Sequence, residues 1–251
     1  MKFALLITSF LTVISATQAQ TVTLRPHCPD KEGQWRATCA SYAPVYTALS
    51  TQYNAAKGYR QSDPDFRIFS YGFVASKMKA SKPFFQRLFN RCGKHVTADM
   101  ALHVLQQTGT VTQQQFPHNC DCAKQKQAQR NQPLFRIASY KEIGDINTPS
   151  ATHISAIKSS LDQKVPVVTA ILQTGFFISN REKLVQFPEG YTMENASANH
   201  VVCIVGYDDH LEGGAFLVKN NYTNWGNDQG FAWVKYADML KLIRHSFNMT
   251  L

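Results

Sequence analysis

The sequence has few charged residues, and acidic residues are scarcer than basic ones. Only 17% of its 251 residues are charged, with 17 Asp and Glu against 26 Lys and Arg. Hydrophobic residues make up 44% and aromatic residues 12%, which is typical of a folded globular chain and excludes a disordered or coiled-coil one. Internal repeats and low-complexity segments are also missing. One folded unit of catalytic size is therefore expected.

Long hydrophobic runs are missing except for one near the start of the chain. Residues 3–14 are apolar, Lys2 precedes them, and small residues follow at 15–19. This layout predicts a secretory signal over residues 1–19 rather than a buried helix. The run is shorter than the roughly 20 apolar residues of a membrane span. We therefore expect the chain to be exported to a periplasm or secreted, with no integral membrane segment after signal removal.

Excess positive charge persists without the predicted signal, since residues 1–19 contain one lysine and no acid, leaving a net charge of +8. Such a charge favours loose attraction to anionic surfaces such as lipid headgroups, polysaccharide or nucleic acid. A long block of Lys and Arg is absent, however, and the basic residues are spread along the chain. The sequence therefore predicts a solvated basic surface and no specific nucleic-acid site.

Helical periodicity marks the first half of the chain after the signal. Its clearest segment runs from Cys39 to about Ala56, with Thr38 as a candidate N-cap and Gly58 just past the end. Pro44 lies inside this segment and should bend the helix, because proline removes one backbone donor. Further helices are predicted from Thr97 to Gly109 and from about His153 to Gln163.

The periodicity changes in the second half, where short β-branched or aromatic runs are bounded by Gly, Asn and Asp. Helices first and strands later favour an α+β fold with segregated lobes. A glutamine-rich stretch beside a pair of cysteines is predicted to be a surface loop. The predicted strands are 165–172, 200–206, 215–219 and 230–236, and the glutamines are Gln113 to Gln115, Gln125, Gln127 and Gln129.

Three residues far apart in the sequence have the chemistry of a nucleophilic site. Cys39 begins a predicted helix, where the unpaired N–H groups and the positive end of the dipole favour a thiolate. His200 opens an apolar strand and could act as the base, although a histidine in such a place is more often structural. Asn220 ends the next strand, where its amide oxygen could accept the second ring N–H of His200 and orient the imidazole.

The segments around these residues resemble the papain-like cysteine peptidase family. The resemblance rests on the sequence CASYA at 39–43, on 199–207, and on 218–231, which includes Asn-Trp-Gly at 224–226. Weaker similarity extends over 109–117 and 164–168. The resemblance as a whole covers roughly Gln34 to Tyr236.

The resemblance implies a papain-like two-lobed α+β fold within a domain spanning 20–251. The left lobe would be helical, over about 39–130, and the right lobe an antiparallel, β-barrel-like unit over about 135–245. The active site would lie in the cleft between the lobes.

The resemblance also implies roles for four residues. Cys39 would be the nucleophile, His200 its ion-pair partner and the acid that protonates the leaving amine, and Asn220 the residue that orients His200. Gln34 would be the side-chain donor of the oxyanion hole, beside the backbone N–H of Cys39. The reaction would be peptide-bond hydrolysis through a thioester acyl-enzyme, with no metal or cofactor.

Two departures from the family pattern bear on these roles. The oxyanion glutamine usually stands six residues before the nucleophile, whereas Gln34 stands five before Cys39 and Gly33 occupies the usual place. The family has an indole that shields the bond between histidine and asparagine, and here Tyr222 takes its position. Because about 19 residues separate the predicted cleavage point from Cys39, the family's long inhibitory pro-segment is expected to be absent.

Two other functions remain open at this point. The domain could be a weakly active or silent papain-like binding module, or a Cys-dependent amidase or transferase using the same site. The expected partners are a protein or peptide substrate and a proteinaceous inhibitor, and the expected state is a monomer.

Five further cysteines raise the question of disulfides, which persist in an oxidising compartment. Cys203 lies in the His200 strand and is predicted to be a buried free thiol. Cys120 and Cys122 are too close in sequence to pair comfortably, so Cys28 is expected to pair with one and Cys92 with the other. The alternatives are free thiols or a metal site, the latter built from His118, Cys120 and Cys122 with His27 or Cys28.

Overall fold

The computed structural model describes residues 20–30, 32–89, 92–144, 150–193, 196 and 198–251. The predicted signal at 1–19 lies outside these residues. Within them, none of the helices combines the length and the apolar character needed to cross a membrane.

Helices dominate the part of the chain before residue 132, and further helices occur among the later strands. The helical bounds are α1 Cys39–Ser41, a π-helix Tyr42–Leu49, α2 Ser50–Lys57, α3 Tyr71–Ala80, α4 Phe84–Phe89, α5 Ala98–Gln107, α6 Cys122–Asn131, α7 Ala151–Asp162, α8 Gly175–Ser179 and α9 Tyr236–Leu242.

The strands form one largely antiparallel sheet in the described residues. Its order is β2-β8-β3-β5-β6-β7-β4, with β1 paired to β5, and β4 runs parallel to β7. The predicted strands of the second half are confirmed, within a few residues at their ends. Their bounds are β1 Thr21–Thr23, β2 Ser139–Glu142, β3 Val167–Gln173, β4 Leu184–Val185, β5 Ala198–Asp208, β6 Ala215–Lys219, β7 Phe231–Lys235 and β8 Ile243–Thr250.

The predicted helix after Cys39 is confirmed as a continuous helical run comprising α1, the π-helix and α2, here called the Cys39 helix. Pro44 has no N–H, so the α-helical donor to the carbonyl of Ala40 is missing. The chain accommodates this by the wider π-helical geometry of Tyr42–Leu49. Gly58 ends the run in the left-handed region with φ 75°, as the sequence predicts.

The two other predicted helices are also confirmed, as α5 and α7. The prediction of a surface loop for the glutamine-rich stretch is wrong over α6. Asp121 caps this helix, because its carboxylate accepts hydrogen bonds from the N–H groups of Ala123 and Lys124, each at 3.0 Å. The bonds from these backbone donors lower the pKa of Asp121. The composition of this stretch gave no indication of a helix, but Asp121 is a favoured N-cap residue and marks its start.

The hydrophobic core extends from the helices into the sheet. The Cys39 helix packs against β5 and β3, and also against α3 and α5. Its π-helical residues are all buried, including Tyr42 and Tyr46, whose rings stack with centroids 4.6 Å apart. The helix that begins with Cys39 is therefore held rigidly against the start of β5, where His200 lies.

The cysteine predictions are only partly correct. Cys92 and Cys120 form a disulfide, and Cys203 is a buried free thiol as expected. Cys28, however, is buried and free, and Cys122 is also free, so the second predicted bridge is wrong. Cys28 faces the buried amine of Lys219, and burial raises the pKa of its thiol to about 11.

Removing the disulfide should destabilise the helical part of the protein. The bridge joins residues 28 apart in sequence, and closing a loop of that length is worth about 3.5 kcal/mol in the chain-entropy description. We expect Cys120→Ser to lower the free energy of unfolding by about 3 kcal/mol, measured by urea denaturation. The matched control is Cys122→Ser, two residues away on a free thiol, which should change stability by less than about 0.5 kcal/mol.

Candidate active site

His200 and Asn220 meet because antiparallel pairing brings two strand ends together. β5 pairs with β6 so that Cys203 lies opposite Lys219, which puts the start of β5 and the residue after β6 at one edge of the sheet. The His200 Nε2 atom lies 2.9 Å from the Oδ1 atom of Asn220, and both side chains are buried. Because Asn220 engages Nε2, the Nδ1 atom of the ring is left for another partner.

Tyr222 covers the His200 ring. The two rings are nearly parallel, with an interplanar angle of 6° and centroids 5.5 Å apart. Tyr222 is half-buried, and burial together with the nearby Cys39 raises the pKa of its phenol. The phenol ring therefore stands against His200 where the family has an indole, and it limits water access to the imidazole.

Trp225 anchors the loop that carries these residues. Its side chain is fully buried, its Nε1 donates to the carbonyl of Phe177 at 2.6 Å, and its ring lies 5.0 Å from that of Phe177. Gly226 follows in the left-handed region with φ 68°, where a Cβ would lie 2.0 Å from the carbonyl oxygen of Phe231. The loop between β6 and β7 is thus fixed to the sheet just beyond Tyr222.

Cys39 is half-buried at the start of the Cys39 helix, which packs against β5. The predicted N-cap Thr38 does not cap with its side chain, because its hydroxyl donates to the carbonyl of Trp35 at 2.7 Å. The first helical N–H groups therefore receive no side-chain acceptor near the Cys39 sulfur. Backbone amides of Val201, Ala40 and Cys39 itself act to lower the pKa of the thiol, which places the sulfur beside the residue that follows His200.

Burial opposes the separate ionisation of the cysteine and the histidine. It raises the pKa of Cys39, because a desolvated thiolate is unfavourable. It also lowers the pKa of His200, whereas the hydrogen bond that the ring donates to Asn220 acts to raise it. Each group alone therefore favours its neutral form. A thiolate and an imidazolium side by side stabilise each other, so the two groups are expected to ionise jointly.

Gln34 reaches the same region through Asn221. The backbone N–H of Gln34 donates to the carbonyl of Asn221 at 2.9 Å, and the Nδ2 of Asn221 donates to the Oε1 of Gln34 at 2.9 Å. The Nε2 of Gln34 donates to the carbonyl of Arg36. The amide group that would have to face an oxyanion thus donates to a neighbouring carbonyl instead, and the oxyanion role of Gln34 stays a prediction.

Asn221 is the site residue that the sequence reasoning missed. Its Nδ2 also donates to the carbonyl of Val201 at 2.8 Å, and its backbone N–H donates to the Oδ1 of Asn220 at 2.7 Å. One buried residue therefore connects Gln34, the strand carrying His200 and the orienting asparagine, the last through its backbone N–H. The sequence feature that could have identified it is its position directly after Asn220.

The described residues offer no support for the alternative metal site. They contain no group of three or more His, Cys, Asp or Glu side chains arranged to hold a metal ion. Cys120 is consumed in the disulfide with Cys92, so it has no thiolate to offer a metal.

Comparison with known proteins decides the family. A family model described as "Papain family cysteine protease" matches residues 89–246, which is more than half of the chain. The chain belongs to the papain family of cysteine proteases. This confirms the family expected from the sequence, and it assigns the chain to the cysteine-type peptidases, which are hydrolases. The matched range includes His200 and Asn220, whereas Cys39 and Gln34 precede it.

Solved structures show the papain-like fold. Procathepsin L 3 from the larval midgut of Tenebrio molitor matches with a TM-score of 0.68 and 16% identity, over 96% of this chain and 73% of that one. The Carica candamarcensis protease CMS1MS2 in complex with E-64 matches with a TM-score of 0.68 and 16% identity, over 92% and 97%.

A bacterial protein has the same fold. Xylellain, a cysteine protease from Xylella fastidiosa, matches with a TM-score of 0.63 and 17% identity, over 92% of this chain and 85% of that one. No curated protein sequence matches the chain at a significant level. The expected α+β, papain-like fold class is confirmed.

Proposed function

We propose that this papain-family protein is an exported peptidase that hydrolyses peptide bonds through Cys39, His200 and Asn220. The single observation that carries the proposal is the buried hydrogen bond of 2.9 Å between His200 Nε2 and Asn220 Oδ1. It leaves Nδ1 as the nitrogen available to a thiol, and Cys39 is the half-buried thiol at the adjoining helix start.

The proposed reaction follows from these positions. His200 takes the Cys39 proton on Nδ1, and the thiolate attacks the scissile carbonyl to form a tetrahedral adduct. The backbone N–H of Cys39 stabilises the oxyanion. His200 then gives its proton to the leaving amine, which yields a thioester on Cys39. Water, deprotonated by His200, hydrolyses the thioester and regenerates the thiol.

Gln34 is proposed as the second oxyanion donor. Asn221 already holds its Oε1, so the Nε2 end needs only to leave the carbonyl of Arg36 and turn toward the substrate. Binding of the substrate carbonyl supplies the competing acceptor for that amide. The proposal predicts that Gln34→Ala raises the barrier to acylation.

The proposal also covers export, the extent of the domain, its oligomeric state and its partners. Residues 1–19 act as the export signal, and 20–251 form the peptidase domain as a monomer in the periplasm or outside the cell. The presence of the Cys92–Cys120 disulfide agrees with an oxidising compartment. The substrate is a protein or peptide, and a proteinaceous inhibitor is the proposed means of control.

A binding module with little activity is the second candidate. The observation in its favour is the engaged Nε2 of Gln34, which donates to Arg36 in this structure. A third possibility, an amidase or transferase, uses the same chemistry with a different acceptor for the acyl group.

Active-site labelling with E-64, the inhibitor bound in the Carica candamarcensis structure, tests the proposal. The peptidase predicts covalent labelling at Cys39, located by peptide mass spectrometry, together with turnover of a fluorogenic peptide library. Absence of both labelling and turnover would favour the binding module. Products formed with an added amine would separate transfer from hydrolysis.

The stacked phenol of Tyr222 should matter for turnover. Tyr222→Ala exposes the hydrogen bond between His200 and Asn220 to water, and we expect kcat to fall about tenfold with little change in KM. Tyr222→Trp restores a large aromatic cover and should keep at least about half of the activity. Steady-state kinetics on one peptide substrate measures both, and equal losses in the two variants would contradict a shielding role.

A further inference from the structure

Two adjacent phenylalanines stand out on the surface of the helical part. Phe84 and Phe85 at the start of α4 are 60% and 74% exposed, and their rings lie 5.7 Å apart. These are the highest exposures among the exposed large hydrophobic residues of the described chain. Neither ring carries a polar atom that water could bind. A contiguous exposed aromatic pair is a feature of surfaces that meet an apolar phase or a partner.

The chain around this pair carries charge of one sign only. Residues 66–98 contain seven Lys and Arg and no Asp or Glu. Among the basic residues whose side chains are described, Lys79 is half-buried and Lys94 is exposed. The stretch thus places no carboxylate next to the two phenylalanines in the sequence.

The aromatic pair is fixed to the basic loop that follows it. Lys82, two residues before Phe84, donates from its Nζ to the carbonyls of Lys94 and His95. Burial lowers the pKa of the Lys82 amine. These bonds hold the start of α4 beside the loop at 93–96, so the phenylalanines and Lys94 share one side of the molecule.

The same loop adjoins the nucleophile. A Cβ on Gly93 would lie 1.9 Å from the carbonyl oxygen of Ala37, and Gly93 has φ 87°. The loop is therefore packed directly against the chain two residues before Cys39. The loop that follows the aromatic pair therefore lies beside the segment that leads to Cys39.

We propose that Phe84, Phe85 and the surrounding basic residues form a docking surface for an anionic lipid bilayer. Phenylalanine rings without polar atoms partition into the acyl boundary of a membrane, while Lys and Arg are attracted to anionic headgroups. A polysaccharide or nucleic acid would satisfy the charges and would stack on a single ring, but the two rings are inclined at 75° to each other and so do not form a flat stacking platform. The net charge of +8 after signal removal adds long-range attraction to the same surface.

Docking is reversible and peripheral, since the pair supplies only a small apolar contact. It brings the segment that leads to Cys39 near the bilayer, and this consequence, which rests on the proposed function, favours membrane-associated peptides as substrates. The binding itself is independent of Cys39. A failure of docking and a failure of catalysis are therefore observed separately.

Vesicle flotation with the protein from residue 20 onward tests the proposal. The vesicles contain phosphatidylcholine with 30% phosphatidylglycerol, and pure phosphatidylcholine serves as the comparison. We expect binding to the anionic vesicles only, weakened as salt rises from about 0.05 to 0.5 M because the charges are screened. Phe84→Ser with Phe85→Ser should weaken binding at least about tenfold, because both rings lose their apolar contact.

Charge variants provide a matched control. Lys79→Gln with Lys94→Gln removes two charges from the surface and should weaken binding about 30-fold. Lys57→Gln with Lys141→Gln removes two exposed charges elsewhere and should have little effect. Circular dichroism and E-64 labelling of each variant verify that the fold and Cys39 are unchanged.

A tryptophan in place of Phe85 would report how deeply the aromatic pair enters the bilayer. Phe85→Trp should show a blue shift in fluorescence with anionic vesicles and quenching by brominated lipid beyond that of the unchanged protein.

Three results would overturn the proposal. The first is no flotation with anionic vesicles. The second is equal flotation of the double Phe variant, which would mean that overall charge alone attracts the protein. The third is tighter binding to heparin or DNA than to vesicles with the same dependence on Phe84 and Phe85, which would assign the surface to a polyanion.

Discussion

Replacing Cys39 by alanine is expected to abolish peptide hydrolysis, with kcat/KM falling by about 10⁴-fold or more. The variant lacks the sulfur that forms the thioester, and no other thiol lies at the start of the Cys39 helix. The fold should be unaffected, because the side chain is small and only partly buried. The measurement is hydrolysis of a fluorogenic peptide, with the free energy of unfolding determined in parallel.

Cys122→Ser is the matched control for this substitution. Cys122 is also a free and half-buried cysteine, but its sulfur lies against the carbonyl of Ser76 on α3, at 3.5 Å. Activity of the Cys122→Ser variant should equal that of the unchanged protein. Retained hydrolysis in Cys39→Ala, or an equal loss in both variants, would contradict the assignment of the nucleophile.

Trp225→Ala should strongly destabilise the protein at the loop between β6 and β7. Removing a fully buried indole leaves a large cavity, and such truncations cost about 3–5 kcal/mol. The carbonyl of Phe177 also loses the 2.6 Å hydrogen bond that Trp225 donates. The free energy of unfolding, measured with urea by circular dichroism, should fall by about 4 kcal/mol.

Trp225→Phe separates packing from hydrogen bonding. It keeps an aromatic ring against Phe177 but removes the indole N–H, so we expect a loss of about 1–2 kcal/mol. Because Trp225 follows Asn220 by five residues, activity should fall with stability in the Ala variant. A Trp225→Ala protein as stable as the Phe variant would contradict the anchoring role of the indole.

Periodicity and local signals predicted the elements that carry the site. The 3.6-residue pattern after Cys39 and the two apolar runs before Asn220 correspond to the Cys39 helix, β5 and β6. These patterns are strong because each element is buried along a continuous face. The distance between Cys39 and His200 in the sequence, by contrast, contains no information on their approach, and only the family resemblance placed them together.

The failures of prediction have physical causes. α6 is a polar helix with little apolar periodicity, so only the Asp121 cap marks its start. Cys28 forms no disulfide because the tertiary structure buries its thiol near Lys219 rather than near α6. Lys219 itself is fully buried, with its pKa lowered by burial to about 8 and its Nζ donating to the carbonyl of Gln229 at 2.7 Å. Buried polar pairs of this kind leave no periodic signature in a sequence.

Asn221 shows how site details depend on contacts between distant segments. Its hydrogen bonds join Gln34, Val201 and Asn220, and none of these partnerships follows from the Asn-Asn sequence. Within the described residues, the Nδ2 of Asn220 and the Oδ1 of Asn221 have no hydrogen-bond partner. The orientation of Asn220 therefore depends on its Oδ1, which accepts from both His200 and the N–H of Asn221.

The pH dependence of Cys39 alkylation tests the central claim most directly, since it requires no substrate. Iodoacetamide modification is followed at Cys39 by peptide mass spectrometry, with His200→Ala as the control. The claim of joint ionisation predicts rapid modification already at about pH 5–6. In the control, burial raises the thiol pKa, so modification should appear only at or above about pH 8.5. Identical profiles, both rising near or above pH 8.5, would mean that Cys39 and His200 form no reactive pair.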